Sequence, residues 1–132
     1  MIGDVGRLVN VESPSRDLEA LDTSARTLSE LLVERLGSAP SIIGGSNGPH
    51  VHWTGGGRPR VLIVGHHDTV FPLGALSARP FTVANGKATG PGVFDMKGGI
   101  VQAIHGVAAL SDRSGVEILI SADEEIGSGS SR

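Results

Sequence analysis

The stretch VLIVGHHDTV, Val61–Val70, decides the fold. Its first four residues are apolar, three of them β-branched, and Gly65 follows. A short apolar run of that kind predicts a strand buried on both faces, as in a parallel sheet with helices on each side. His66, His67 and Asp68 come where the strand ends. In open α/β sheets the chemistry sits just beyond the carboxyl ends of the strands. Two imidazoles and a carboxylate at such a place exceed what stability requires, and they read as the first half of a metal site.

The other half lies downstream. GPGVFDMKGG (90–99) is dense in turn residues and runs directly into the apolar segment Ile100–Leu110. Ile100, Ile104, Val107 and Ala108 share one helical face, so a buried helix is expected to start near Asp95–Lys97, where an acidic residue suits a helix N-terminus. Val116–Ile120 reads as a second core strand, and it delivers Asp123, Glu124 and Glu125 at its carboxyl end. Strand, helix and strand in that order predict a βαβ unit with both strands parallel in one sheet.

Upstream, Leu18, Leu21, Ala25, Leu28, Leu32 and Leu36 recur at helical spacing and Gly37 supplies a stop, which predicts an amphipathic helix with Glu19, Asp22, Arg26, Glu30 and Arg35 on its outer face. Ser41–Ile43 and His50–Trp53 are short extended segments around a Gly-rich turn. His50 and His52 share a strand face there, but as a metal motif they lack partners. Residues 81–89 predict a β-hairpin turning at Asn85-Gly86. His67 and His105 read as structural, and Lys97 as either an ion-pair partner or a solvated side chain.

Composition narrows the function. The chain has 132 residues, 39% of them hydrophobic and 19% charged, which fits one globular domain. Its net charge is −3 and aromatics make up 3%, without a basic stripe, which argues against a nucleic-acid surface. No apolar run approaches the roughly 18–20 residues that span a bilayer. MIGDVGRLVN lacks the pattern of a secretory leader, so a cytoplasmic location is expected. The chain contains no cysteine, so any metal must be held by His, Asp and Glu. His66 with Asp68, then Asp95, then Glu124 with Glu125 form three clusters. Four carboxylates in one pocket repel one another unless protons or cations neutralise them. Imidazole and carboxylate donors suit zinc, with cobalt or manganese as alternatives, and a pair of such ions makes a hydrolytic clamp.

GHHDTV (65–70), GPGVFDMKGG (90–99) and ADEEIGS (122–128) resemble the three N-terminal motifs of the M20 metallopeptidases, and the linking text resembles the glutamate carboxypeptidase branch. The resemblance implies a zinc-exopeptidase-like catalytic domain, a three-layer α/β sandwich with a mostly parallel central sheet. Residues 1–132 would be an N-terminal part of it, without the lid or dimerisation domain and the C-terminal part. It implies that His66 and Glu125 ligate one zinc and that Asp95 bridges two, with a peptide bond after Asp95 that is often cis. It implies that Asp68 orients the His66 ring, and that Glu124 is the general base toward the attacking water. The implied reaction is hydrolysis of an amide bond in a small peptide or N-acyl amino acid, by an enzyme that is a homodimer in its full-length form. The fragment alone is expected to bind metal weakly and to be inactive.

Other readings stand beside this one. An N-acyl amino-acid deacylase of the acetylornithine or succinyl-diaminopimelate type belongs to the same family. A non-catalytic remnant or binding module would keep the fold. A plain acidic α/β domain would use His66 and Asp68 as a hydrogen-bonded strand end, Asp95 as a helix cap and the glutamates as a solvated turn.

Overall fold

The computed structural model describes residues 1–131. Two N-terminal helices, α1 (Ile2–Val9) and α2 (Leu18–Leu36), precede the strands β1 (Ser41–Gly45), β2 (Gly48–Thr54) and β3 (Val61–His66). A short helix α3 (Ala75–Ala78) and the hairpin β4 (Thr82–Ala84) and β5 (Lys87–Thr89) follow. Helix α4 (Gly98–Ala108) then crosses over to β6 (Val116–Ser121).

Local chemistry sets the ends of the long helix. The Asp17 carboxylate accepts from the Ala20 amide at 3.0 Å and caps the first turn of α2. At the other end Gly37 takes the left-handed conformation, φ 83°, that stops it. Leu21, Ala25, Leu28, Leu31, Leu32 and Leu36 are buried, whereas Leu18, on the predicted stripe, is exposed in the first turn. Arg113 caps two helices at once. Its guanidinium donates to the carbonyls of Leu36 in α2 and of Val107 and Ala108 in α4, where terminal carbonyls lack helical partners.

The main sheet has the order β1-β2-β6-β3. The βαβ expectation holds: β3 and β6 pair in parallel, from Val61↔Val116 to His66↔Ser121. The hairpin β4–β5 also forms, with Asn85 and Gly86 both at positive φ. The α/β architecture with a central sheet is as expected, but three details differ. The sheet is mixed, because β1–β2 is a hairpin and β2 adds antiparallel to β6, leaving β3–β6 as the parallel pair. Strand β3 lies at the edge and β6 is central. Among the described residues the helices form one layer rather than two.

That layer covers one face. Val51, Trp53, Ile118 and Ile120 join the buried side chains of α1, α2 and α4 in one cluster, with Ile63 packed against it. The Trp53 indole N–H, also buried, donates to Ser38 Oγ at 2.9 Å. The opposite face carries Leu62 and Val64 of β3, 55% and 60% exposed. Among the described residues Val61–Val64 is therefore covered on one face, not on the two that were expected.

Candidate metal centre

The site forms where β3 and β6 end side by side. The parallel register sets His66 opposite Ser121, three residues before Glu124. Met96 and Ile120 pack over Gly65, where a Cβ would meet Met96 Cε at 3.2 Å and Ile120 Cδ1 at 3.3 Å. The adjacent imidazoles then diverge. His67 points into the protein, where its Nε2 donates to the Pro49 carbonyl at 3.0 Å and its Nδ1 lies 3.1 Å from Ser24 Oγ. Burial pushes His67 down to about 4, so it is a neutral core residue, as expected. His66 faces carboxylates. Its Nε2 is 3.0 Å from Asp95 Oδ1 and 3.8 Å from Glu124 Oε2.

The His66 Nδ1 donates to the Asp68 main-chain oxygen at 3.1 Å and lies 3.3 Å from Asp68 Oδ1. Burial disfavours a charged His66, but the Asp68 and Asp95 carboxylates outweigh it and raise the imidazole to about 9. Asp68 itself is fully buried. Burial opposes its ionisation, yet His66, Ser15 and the Glu125 amide outweigh that and lower it.

Asp68 does more than orient a ring. Its Oδ1 accepts from the Glu124 amide and its Oδ2 from the Glu125 amide, both at 3.2 Å. One carboxylate thus holds the imidazole from β3 and the main chain of the glutamate pair after β6. Residues 13–15 clasp the same loop from outside. The Thr69 amide donates to the Ser13 carbonyl at 2.8 Å, and Ser13 Oγ donates to the His67 carbonyl at 2.6 Å.

Asp95 arrives differently from expectation. It lies in a tight turn, Val93–Lys97, with φ −124° and ψ 101°, and α4 begins only at Gly98. A helix-cap role therefore does not describe it. The Asp95–Met96 peptide bond is cis. Lys97 anchors the turn: its Nζ, almost fully buried, donates to the Val11 carbonyl at 2.7 Å. Burial lowers it to about 8, against the opposing pull of Glu12. The Glu12 carboxylate in turn accepts the amides of Gly74 and Leu76.

One ligand atom each from His66, Asp95 and Glu125 lies within 4.8 Å of the others. Burial raises the Glu125 carboxyl, His66 opposes, and the Asp95, Asp68 and Glu124 carboxylates add to the rise. Glu124 is exposed beside this trio, and a cleft of about 420 Å³ opens over it, lined by Val64, His66, Asp95, Met96, Leu119 and Glu124. All five residues singled out from the sequence therefore meet at one place. His50 and His52 do not. His52 Nε2 lies 3.1 Å from Glu117 Oε2, and His50 contacts Ser130. His105 binds Asp4. Sequence reasoning missed the hold of Asp68 on the glutamate amides and the tie through Lys97 and Glu12. Neither has a local signal, because the partners are main-chain groups far along the chain.

A family model described as peptidase family M20/M25/M40 matches residues 62–132, more than half of the chain and all three clusters. The chain belongs to the M20 peptidase family. Among the chain's relatives, carboxypeptidase G2 of a Pseudomonas species is 32% identical over the whole of this chain, which corresponds to 34% of that protein. The probable di- and tripeptidase DUG2 of Saccharomyces cerevisiae is 37% identical over 64% of this chain and 10% of its own length. The M20 family metallo-carboxypeptidase Sso-CP2 from Sulfolobus solfataricus has the same fold, with a TM-score of 0.81, 23% identity, and coverage of 96% of this chain and 31% of that one. This M20 chain therefore spans about a third of the length of the full-length relative and of the solved structure it matches. No helix among the described residues is long and apolar enough to cross a membrane.

Proposed function

We propose that this chain carries the first part of the catalytic centre of a metal-dependent amide hydrolase of carboxypeptidase type, acting on a peptide or N-acyl amino acid. The single observation behind this reading is the convergence of His66, Asp95 and Glu125 ligand atoms within 4.8 Å. The donor chemistry fits a divalent ion. One imidazole and two carboxylates suit zinc, and cobalt or manganese use the same set. At its Nε2 the charged His66 presents a proton toward Asp95, and a cation at that point would take over the proton's electrostatic role.

The metal supplies Lewis acidity, polarising the scissile carbonyl and acidifying the attacking water. His66 and Glu125 would hold one ion, and Asp95 would be available both to it and to a second. Asp68 fixes the His66 tautomer so that Nε2 faces the ion. Glu124, exposed and beside the trio, accepts the proton of the attacking water and returns it to the leaving amine. A homodimeric whole protein, a cytoplasmic location and inactivity of these 132 residues alone belong to the same proposal.

Calorimetric titration with zinc tests it. Wild-type protein is expected to bind, and His66→Ala and Asp95→Ala to abolish binding. No heat from wild type, or equal heat from both variants, would sink the metal reading. Assay of the whole protein on dipeptides and on N-acetyl and N-succinyl amino acids then separates carboxypeptidase from deacylase. Glu124→Gln is expected to bind zinc and lose turnover.

A further inference from the structure

Glu124 and Glu125 sit in an exposed single turn that needs support from two sides. Asp68 supplies one side. The other side is Asp123, fully buried just before the pair. Its Oδ2 accepts from the Ser130 amide at 2.7 Å, from Ser130 Oγ at 2.9 Å and from Asn47 Nδ2 at 3.2 Å. Its Oδ1 accepts from Ser131 Oγ at 2.9 Å, and its main-chain oxygen accepts from the Ser128 amide at 2.8 Å. The chain after the glutamates is thereby folded back onto the residue before them.

The network extends to β2 with a defined direction. His50 Nδ1 accepts from the Ala122 amide at 3.2 Å, so the neutral ring carries its proton on Nε2. That Nε2 donates to Ser130 Oγ at 3.2 Å, and Ser130 Oγ donates to Asp123. His50 therefore has no lone pair free to act as a base toward Ser130, which rules out a serine nucleophile at this His-Ser-Asp group. The arrangement is a brace. Gly45 makes room for it, since a Cβ there would collide with His50 Nε2 and Ser130 Oγ.

We propose that Asp123 is a positioning residue, whose carboxylate, through Ser130, Ser131, Asn47 and His50, fixes the main chain that aims Glu124 and Glu125 into the centre. The inference rests on the metal-centre reading above for its consequence, though not for its geometry. Two measurements on the protein test it. Amide hydrogen exchange without metal reads the geometry. Cobalt titration, followed by the visible ligand-field bands, reads the consequence.

Asp123→Asn replaces an acceptor oxygen with a donor against the serine hydrogens. It is expected to speed exchange at the Glu124 and Glu125 amides, whose hydrogen bonds go to Asp68 and not to the Asp123 carboxylate, beyond the change in intrinsic rate that the new neighbour gives Glu124, while amides of α2 keep their rates. Cobalt binding is expected to weaken roughly 10–100-fold, with altered bands. Gly45→Ala, which removes no polar group, is expected to reproduce the exchange result. If Asp123→Asn does not fold, Ser130→Ala carries the same two readouts. Wild-type exchange at Glu124 and Glu125 in a folded variant overturns the proposal. If wild-type protein gives no cobalt spectrum, the metal reading fails, and the exchange comparison still decides the role of Asp123.

Discussion

Two buried aspartates in this molecule each hold a histidine, and their surroundings are opposite. Asp4, in α1, receives the Arg35 guanidinium in a two-pronged contact at 2.9 and 2.7 Å, and its Oδ2 lies 2.6 Å from His105 Nε2. That group joins α1, α2 and α4 and contains its own cation. Asp68 also holds a histidine, but at the strand ends the single His66 imidazole faces Asp68, Asp95, Glu124 and Glu125. The helical group is electrically complete, while the strand-end group carries excess negative charge in a partly buried place. An Asp–His contact alone therefore says little about function. The balance of charge around it separates a staple from a site.

The comparison is broken most severely at Asp68. Asp68→Ala frees the His66 ring and strands two amides. It should weaken zinc binding roughly 10–100-fold and lower stability by about 2–4 kcal/mol, as read by calorimetry and by denaturant unfolding.

Acid should then act on the two regions in sequence. Folded His67 titrates at about 4 against an ordinary 6.5. Between those values the unfolded chain binds the extra proton, so stability falls as pH drops through that window, by on the order of 2–3 kcal/mol. His67→Gln should flatten this limb of a stability–pH curve. Asp4, held at about 2 by Arg35 and His105 despite its burial, contributes stability above its ordinary 3.8 that is lost as pH falls toward 2.

Asp4→Ala sharpens the contrast from the other side. It should cost about 1–2 kcal/mol in urea unfolding, since the remaining Arg35 reaches water, and leave the zinc isotherm unchanged. A shifted isotherm would show that the helical staple and the centre are coupled. The smallest effect is expected at the surface pair Arg26–Asp22 on α2, 2.6 Å apart with both partners well exposed. There Arg26→Ala should change stability by less than about 0.5 kcal/mol.

Much of this was legible in the sequence, for identifiable reasons. Val61–Val64, Ile100–Leu110 and Val116–Ile120 carry periodicities that specify strand, helix and strand, and chain order alone implied their parallel pairing. The meeting of His66, Asp68, Asp95, Glu124 and Glu125 could be anticipated because each follows a strand or precedes a helix, where open sheets place chemistry. The environment of β3 was not legible. Apolarity reports what a strand buries in its complete surroundings, and Leu62 and Val64 are uncovered among the described residues. The turn-dense stretch around Asp95 was legible, but its end was placed early, near Asp95–Lys97 rather than at Gly98, because a helical pattern says nothing about the irregular backbone ahead of it. The joining role of Asp4 and the hold of Asp68 on the glutamate amides were missed because those partners stand far away in the chain, 101 residues in the case of His105 and 56 in the case of Glu124.

The Asp68 carboxylate reaches across 56 residues of sequence to the Glu124 amide, and this has a consequence for folding. Parallel strands joined by a crossover helix close a long loop before they gain any contact, so such pairs form late. His66 cannot meet Glu125 until β3 and β6 are in register, and once they are, one buried carboxylate secures both. Assembly of the centre is thus the same event as closure of the β3–α4–β6 unit. Because a slip of one residue turns every side chain to the other face of the sheet, a chain paired out of register would present no ligand set at all.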